Sequence, residues 1–245
     1  MELPRDTVGL LEGLTTTRAI RRFKPDPVPD SELAAILFAA TRAPSGSNRQ
    51  PFRFLVLRDG PRATEAKALL GESFRRSWAD KRAADGYGRD ADPNAPRARL
   101  ERAMQHFVDH FEEVPVVVLA CLARYRPPSP YEGNSVYPAC QNLLLAARAR
   151  GLGGVMTMWH APVEPELRRL LAIPDDVALA ATIPLGYPEG SHGPVRRRPL
   201  SELVFDDGWG QPAPWAQEPS GTRHTQAGPP SRSASGKGQD TRGGG

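Results

Sequence analysis

Residues 43–54, Ala-Pro-Ser-Gly-Ser-Asn-Arg-Gln-Pro-Phe-Arg-Phe, constrain this chain more than any other stretch. Pro44 and Pro51 push Ala43 and Gln50 away from helical geometry, so the segment must be extended and stiff. Upstream, Leu33, Ile36, Leu37 and Ala40 recur at helical spacing behind Asp30, a good N-cap. Downstream, Phe52–Leu57 is almost wholly apolar and of strand length, which predicts a central strand. The loop between must therefore join a helix to a buried strand. Gly46 lets backbone approach a flat ligand closely. Asn48 and Gln50 carry amides that can pair with an edge that both donates and accepts. Ser, Gly, Asn and Pro are also ordinary loop residues. The stretch alone leaves both readings open.

Residues 10–23 read as a helix ending in three arginines, Arg18, Arg21 and Arg22. A cationic helix end is favoured by the helix dipole, while guanidinium forks also match phosphate geometry. Residues 61–70 read as a helix. Residues 71–96, with Gly86, Gly88, Pro93 and Pro96, read as an irregular lid or mobile loop. There Trp78 and Tyr87 either pin the loop down or stack on a substrate. Leu100, Met104, Phe107 and Phe111 mark one helix face. His106 and His110 stand at metal-ligand spacing, but no Glu or Cys completes a set, so no metal is expected.

Residues 115–123 form a second apolar strand, and residues 136–150 a helix apolar nearly all round, which suits a central place or a subunit interface. Gly151-Leu-Gly-Gly leads into a strand over 155–159. Its glycines do not follow the dinucleotide-binding pattern. A short helix over 164–171 and a third strand over 177–185 follow. Arg196, Arg197 and Arg198 then form a second arginine cluster, which suits either solvated surface or a phosphate site shared with the first. Trp209 and Trp215 lie on a Pro- and Gly-rich arm that must pack on something, such as a second subunit. Residues 216–245 have the composition of a disordered tail.

The ordered part, residues 1–215, is long enough for one domain with a substantial core. A formal charge of +4, with Lys and Arg spread along the chain, gives no basic block for nucleic acid. Cys121 and Cys140 sit in apolar runs and read as buried free thiols. No segment reaches membrane-spanning length, and no signal-peptide pattern opens the chain, so a cytoplasmic protein is expected.

Four segments together resemble the FMN-dependent nitroreductase family: Thr17-Arg-Ala-Ile-Arg-Arg-Phe, residues 43–52, Gln141-Asn-Leu-Leu-Leu-Ala-Ala with Gly151-Leu-Gly, and Ile183-Pro-Leu-Gly-Tyr-Pro with Arg196-Arg-Arg-Pro. The resemblance implies an α+β fold, a central mixed sheet flanked by helices, in an intertwined homodimer with two FMN molecules at the interface. It places Arg18 and Ala19 at the FMN phosphate and Arg21 at the N1/O2 side of the flavin. Arg197 and its neighbour Arg196 would be late phosphate contacts. Pro44, Ser45 and Gly46 would pack on the flavin from the partner subunit, with Asn48 and Gln50 as polar neighbours. Met156 and Thr157 would present backbone to the flavin rim. Family members often carry Arg, Ser and Lys where Thr17, Ala19 and Val195 stand here, so the phosphate loses possible partners.

The implied reaction passes hydride from NADH or NADPH through the flavin to a small organic acceptor, a nitroaromatic or a quinone, in a ping-pong cycle. Residue chemistry agrees to this extent: no Ser-His-Asp set or paired carboxylates ask for another mechanism. Arg75, Arg76, Lys81 and Arg82 are, by charge, candidates to select the 2′-phosphate of NADPH. Flavin fragmentation or reductive dehalogenation on the same fold, and non-catalytic flavin binding, are the alternatives.

Overall fold

The computed structural model describes residues 8–89 and 92–218, and the backbone of 226–227. It divides into two units, Met1–His192 and Gly193–Gly245. In the first, helices α1 (Leu10–Thr16), α2 (Asp30–Ala40), α3 (Pro61–Asp85), α4 (Pro96–Asp109), α5 (Tyr137–Ala149) and α6 (Glu164–Leu171) surround strands β1 (Phe52–Leu57), β2 (Val116–Ala123), β3 (Gly153–Gly154) and β4 (Val177–Gly186). The strand order is β1-β2-β4-β3. All of these ladders are antiparallel, so no parallel pair joins this sheet among the described residues.

The α+β class follows from β2. Its residues alternate between two cores. Val116, Val118, Ala120 and Leu122 pack with α2 and α5, whereas Val117, Leu119 and Cys121 pack with α3, α4 and α6. Period-two alternation with both sets apolar requires cover on both faces. On β4 the register shifts, pairing Ala120 with Ala181 but Cys121 with Leu179. The extra residue, Ala180, sends Leu179 to the opposite face from Ala181, as a β-bulge does.

Three expectations need correction. The first helix ends at Thr16, so Arg18, Arg21 and Arg22 are on extended chain beyond it and the dipole argument does not apply to them. The region after residue 70 is not an irregular lid: α3 continues to Asp85 and ends on Gly86, whose φ of 65° makes it a left-handed cap. Contacts with α4 and the turn after it hold this extension. Arg75 meets Glu112 at 2.8 Å, Trp78 Nε1 donates to Gln105 Oε1 at 2.9 Å, and Arg82 Nε donates to Glu101 Oε1 at 2.7 Å. Third, residues 155–159 are not a strand. Only Thr157 bridges Thr182.

Asp30 is the first residue of α2 rather than its cap, which is Pro29. Histidines 106 and 110 stack at 4.5 Å, and His110 Nδ1 lies 2.9 Å from Glu113 Oε1. Among the described residues no group of three or more His, Cys, Asp and Glu could hold a metal, and no helix is long and apolar enough to cross a membrane.

In the second unit, β5 (Arg196–Arg197) pairs in parallel with β6 (Gln226–Ala227). Phe205 bridges Pro212, and Trp215 Nε1 donates to Asp206 Oδ2 at 2.8 Å. Trp209 leans on Phe205 at 5.0 Å yet is 92% exposed. The expected tail, 216–245, lies outside the described residues apart from 216–218 and the 226–227 backbone.

Two predictions follow from the packing. A Cβ on Gly154 would stand 2.5 Å from the Pro184 carbonyl oxygen, which cannot swing away. Gly154→Ala should therefore destabilise the fold by about 2–3 kcal/mol in a urea titration. His160 is buried, with Nδ1 3.1 Å from Thr182 Oγ1 and Nε2 3.2 Å from Leu179 O, and burial lowers its pKa from the usual 6.5. The unfolded chain therefore takes up this proton first as pH falls. The stability it underwrites is complete above pH 6.5 and is lost progressively below it, so unfolding free energy should fall from pH 7 to 5. His160→Asn should flatten that slope.

Candidate functional site

Two groups of the sequence-predicted residues lie at opposite edges of the sheet. One is an open cleft beside the β3 edge. Ile20 donates its N–H to Gly154 O at 3.0 Å, which ties the 17–22 segment to β3. Ile20 is buried, so its neighbours Ala19 and Arg21 turn away from that core, Ala19 to solvent and Arg21 into the cleft wall. Thr157, fixed by reciprocal backbone bonds with Thr182 of 3.0 and 2.8 Å, and the exposed Met156 complete this side. Trp78, Tyr87 and Trp159 supply aromatic surface opposite, around a solvent-open cavity of about 220 Å³.

One side chain, Arg21, dominates the electrostatics. Arg21 is half-buried and makes no hydrogen bond or ion pair among the described residues. Burial lowers its pKa first and the neighbouring Arg18 second, while Tyr87 opposes them. Guanidinium stays charged regardless. The wall therefore solvates this cation poorly. Lys81, tied to Asp85 at 2.5 Å, is the other cation on the wall. No described residue lining the cleft is a carboxylate.

The other group is the 43–51 loop, ahead of β1 on the opposite edge. Phe52 pairs with Leu122, Leu122 with Ala178, and Gly154 with Leu185. The loop and the cleft are thus three strand spacings apart, about 14 Å, and offset by seven residues of β4, about 23 Å. One chain does not bring both groups to one ligand.

Within the loop, Ser47, Asn48 and Gln50 adopt left-handed φ of 52°, 50° and 49°. Each such non-glycine residue costs about 1–2 kcal/mol. Gln50 Nε2 donates to Asn48 Oδ1 at 3.1 Å. This pairing leaves Asn48 Nδ2 as donor and Gln50 Oε1 as acceptor, neither bonded among the described residues. Pro44 and Gly46 are exposed and Ser45 is half-buried. Arg18 is exposed near the cleft group. Arg196 and Arg197 are exposed in the second unit, where Arg197 Nη1 donates to Arg196 O at 2.8 Å.

The cleft's aromatic wall is where sequence reading was weakest. Trp78 is 2% exposed and its ring lies 5.1 Å from that of Tyr87. It pins α3 to α4 and lines the cleft as well. Trp159 was expected at the end of a strand. The signal for it was the residue type itself, an aromatic five residues after a Gly-Gly pair.

Comparison with known proteins gives concordant matches. The Nitroreductase family model matches residues 14–187. A Thermus thermophilus protein named NADH dehydrogenase is 32% identical over 207 residues, covering 81% of this chain and 98% of its own. The iodotyrosine deiodinase of Thermotoga neapolitana is 27% identical, covering 76% and 91%. A Desulfovibrio desulfuricans protein solved in complex with FMN superposes with a TM-score of 0.60 at 28% identity, covering 83% and 99%.

Arg21→Gln should remove an unpaired, half-buried charge. The cofactor-free protein should then melt about 2–4 °C higher, as roughly 1 kcal/mol does in a domain of this size. Differential scanning calorimetry reads this directly.

Proposed function

The chain belongs to the nitroreductase family, and on that premise we propose that it is an FMN-dependent NAD(P)H oxidoreductase acting as a homodimer on nitroaromatic or quinone acceptors. The carrying observation is Arg21, a half-buried cation held in the cleft wall beside Met156 and Thr157 with no counter-charge among the described residues. A flavin fits this donor set. The guanidinium suits the electron-rich N1/O2 side, and the Asn48 and Gln50 amides offer the donor and acceptor that a pyrimidine edge needs. FMN, when bound, would supply the group that takes up and passes on hydride.

The chain's own residues have electrostatic and positional work. Arg21 places fixed positive charge where negative charge develops, in a wall that water enters poorly. Trp159, Phe107 and Met104 keep the cleft apolar. Arg18 is proposed for the phosphate, the role that the resemblance also gives Arg196 and Arg197. The separation of the loop from the cleft is the reason for a second copy: Pro44, Ser45, Gly46, Asn48 and Gln50 would reach the other chain's cleft. Leu10, Leu11 and Leu14 are exposed along α1, above a groove formed with α2 and α5, which supports that face as the dimer contact. The flavin-binding domain is taken as residues 1–215.

Arg21, with no carboxylate among the described lining residues and with Lys81 offset by Asp85, favours neutral or anionic aromatic acceptors. A zwitterionic amino acid, the kind of acceptor that the deiodinase relative's name implies, would find no partner for its ammonium among the described lining residues. Electrons come from NADH or NADPH, and a cytoplasmic setting supplies either.

The first measurement is the visible spectrum of the purified protein, with heat-released flavin identified by chromatography. Flavin bands and released FMN are expected. Turnover of NADH or NADPH with benzoquinone or nitrobenzene should then give parallel double-reciprocal plots, and Arg21→Gln should lower kcat/KM by about 100-fold. A colourless protein that takes up no FMN would sink the reading. Halide release, reductant-dependent loss of flavin absorbance, or FMN bound without turnover would redirect it to dehalogenation, flavin fragmentation or non-catalytic binding.

A further inference from the structure

The left-handed residues of the 43–51 loop need something to hold them, and the chain supplies it from its own sheet. On the premise that this loop meets the flavin, we infer that Arg53 and Tyr125 are positioning residues. They clamp the strained loop so that the Asn48 and Gln50 amides are set before the cofactor arrives.

The geometry is a splint around Gln50. Its backbone N–H donates to Ser45 Oγ at 2.9 Å, and its carbonyl accepts from Arg53 Nη1 at 3.0 Å. The same Arg53 nitrogen donates to Phe52 O at 2.8 Å. Both backbone polar atoms of Gln50 are therefore held by side chains, and relaxing its φ to the extended region would break both contacts. Arg49, with φ of −74°, lies between the left-handed Asn48 and Gln50. Its guanidinium carbon lies 4.5 Å from the centre of the Tyr125 ring, with Arg126 on the same ring at 5.4 Å. Tyr125 follows β2, and β2 pairs with β1, so the ring is anchored to the strand beside the one the loop feeds.

Charge usage points the same way. Neither Arg49 nor Arg53 has an ion-pair partner among the described residues. One guanidinium is spent on backbone carbonyls and the other on a ring. β1 is an edge strand, and among the described residues no neighbouring strand backs the loop from its other side. Without the clamp, three unfavourable dihedrals would relax and the amides would lose their mutual orientation.

The test compares wild type, Arg53→Met, Tyr125→Leu, Ser47→Gly and the Arg53→Met/Ser47→Gly double variant, all as full-length protein. Arg53→Met keeps the aliphatic stem and removes the bonds. It should weaken FMN binding about tenfold, the order expected when one strained dihedral is released. Hydrogen exchange over residues 45–50 of the cofactor-free protein should quicken, with the melting temperature unchanged. Tyr125→Leu should act the same way.

Ser47→Gly decides between clamp and mere structure, because glycine takes a φ near 50° without strain. In the double variant it should restore most of the affinity. A merely structural role would lower the melting temperature and would not be rescued. Unchanged exchange and affinity in Arg53→Met, or no rescue by Ser47→Gly, would overturn the inference. A wild-type protein that binds no FMN would overturn the flavin reading instead, and the exchange comparison would still decide the clamp.

Discussion

Strand β2 has no face that can meet water, and the first unit is built around that fact. Seven of its eight residues are buried, alternating between two cores, so helices have to lie on both sides. The bulge at Ala180 then lets β4 serve both cores in turn, although its side chains are of mixed size. At about 25 cal/mol per Å² of apolar surface buried, each of its Val and Leu side chains contributes roughly 1.5–3 kcal/mol. Its neighbours fill the space it leaves.

A sheet so completely covered has nowhere to bind a ligand except at its margins. The candidate residues accordingly lie on chain that is leaving or joining the sheet: the 17–22 segment, the 43–51 loop and the turn around Met156 and Thr157. These segments carry what the core excludes, an unpaired cation at Arg21 and left-handed serine, asparagine and glutamine. Stability is given up there in small amounts, and the surrounding sheet is rigid enough to keep those residues in place.

Elements with a continuous apolar signal were legible in the sequence. α2, β1, β2, α5 and β4 fall close to where apolar runs and Pro or Gly punctuation place them. α3 beyond Gly71 was not. That stretch is charged at half of its positions, and it is helical because partners 27 to 37 residues away hold it, at Gln105 and Glu112. A Cβ at residue 71 would overlap the Glu112 carboxylate, so this glycine marks close packing within the helix. For the site, residue types were readable and their separation was not. Nothing local says that Arg21 and Gln50 sit on opposite edges; strand order alone decides it.

Burial also has a chemical consequence for the sulfurs. Cys121 and Cys140 are each about 1% exposed or less, and desolvation pushes their thiols up to about 11 and about 12. Thiolate, the nucleophile that attacks peroxides and disulfides, is scarcely populated at neutral pH. The two residues therefore behave as small hydrophobes on the α5 and α3 sides of one sheet. The fold is indifferent to the redox poise of its surroundings, and its cysteines carry no information about which compartment it occupies.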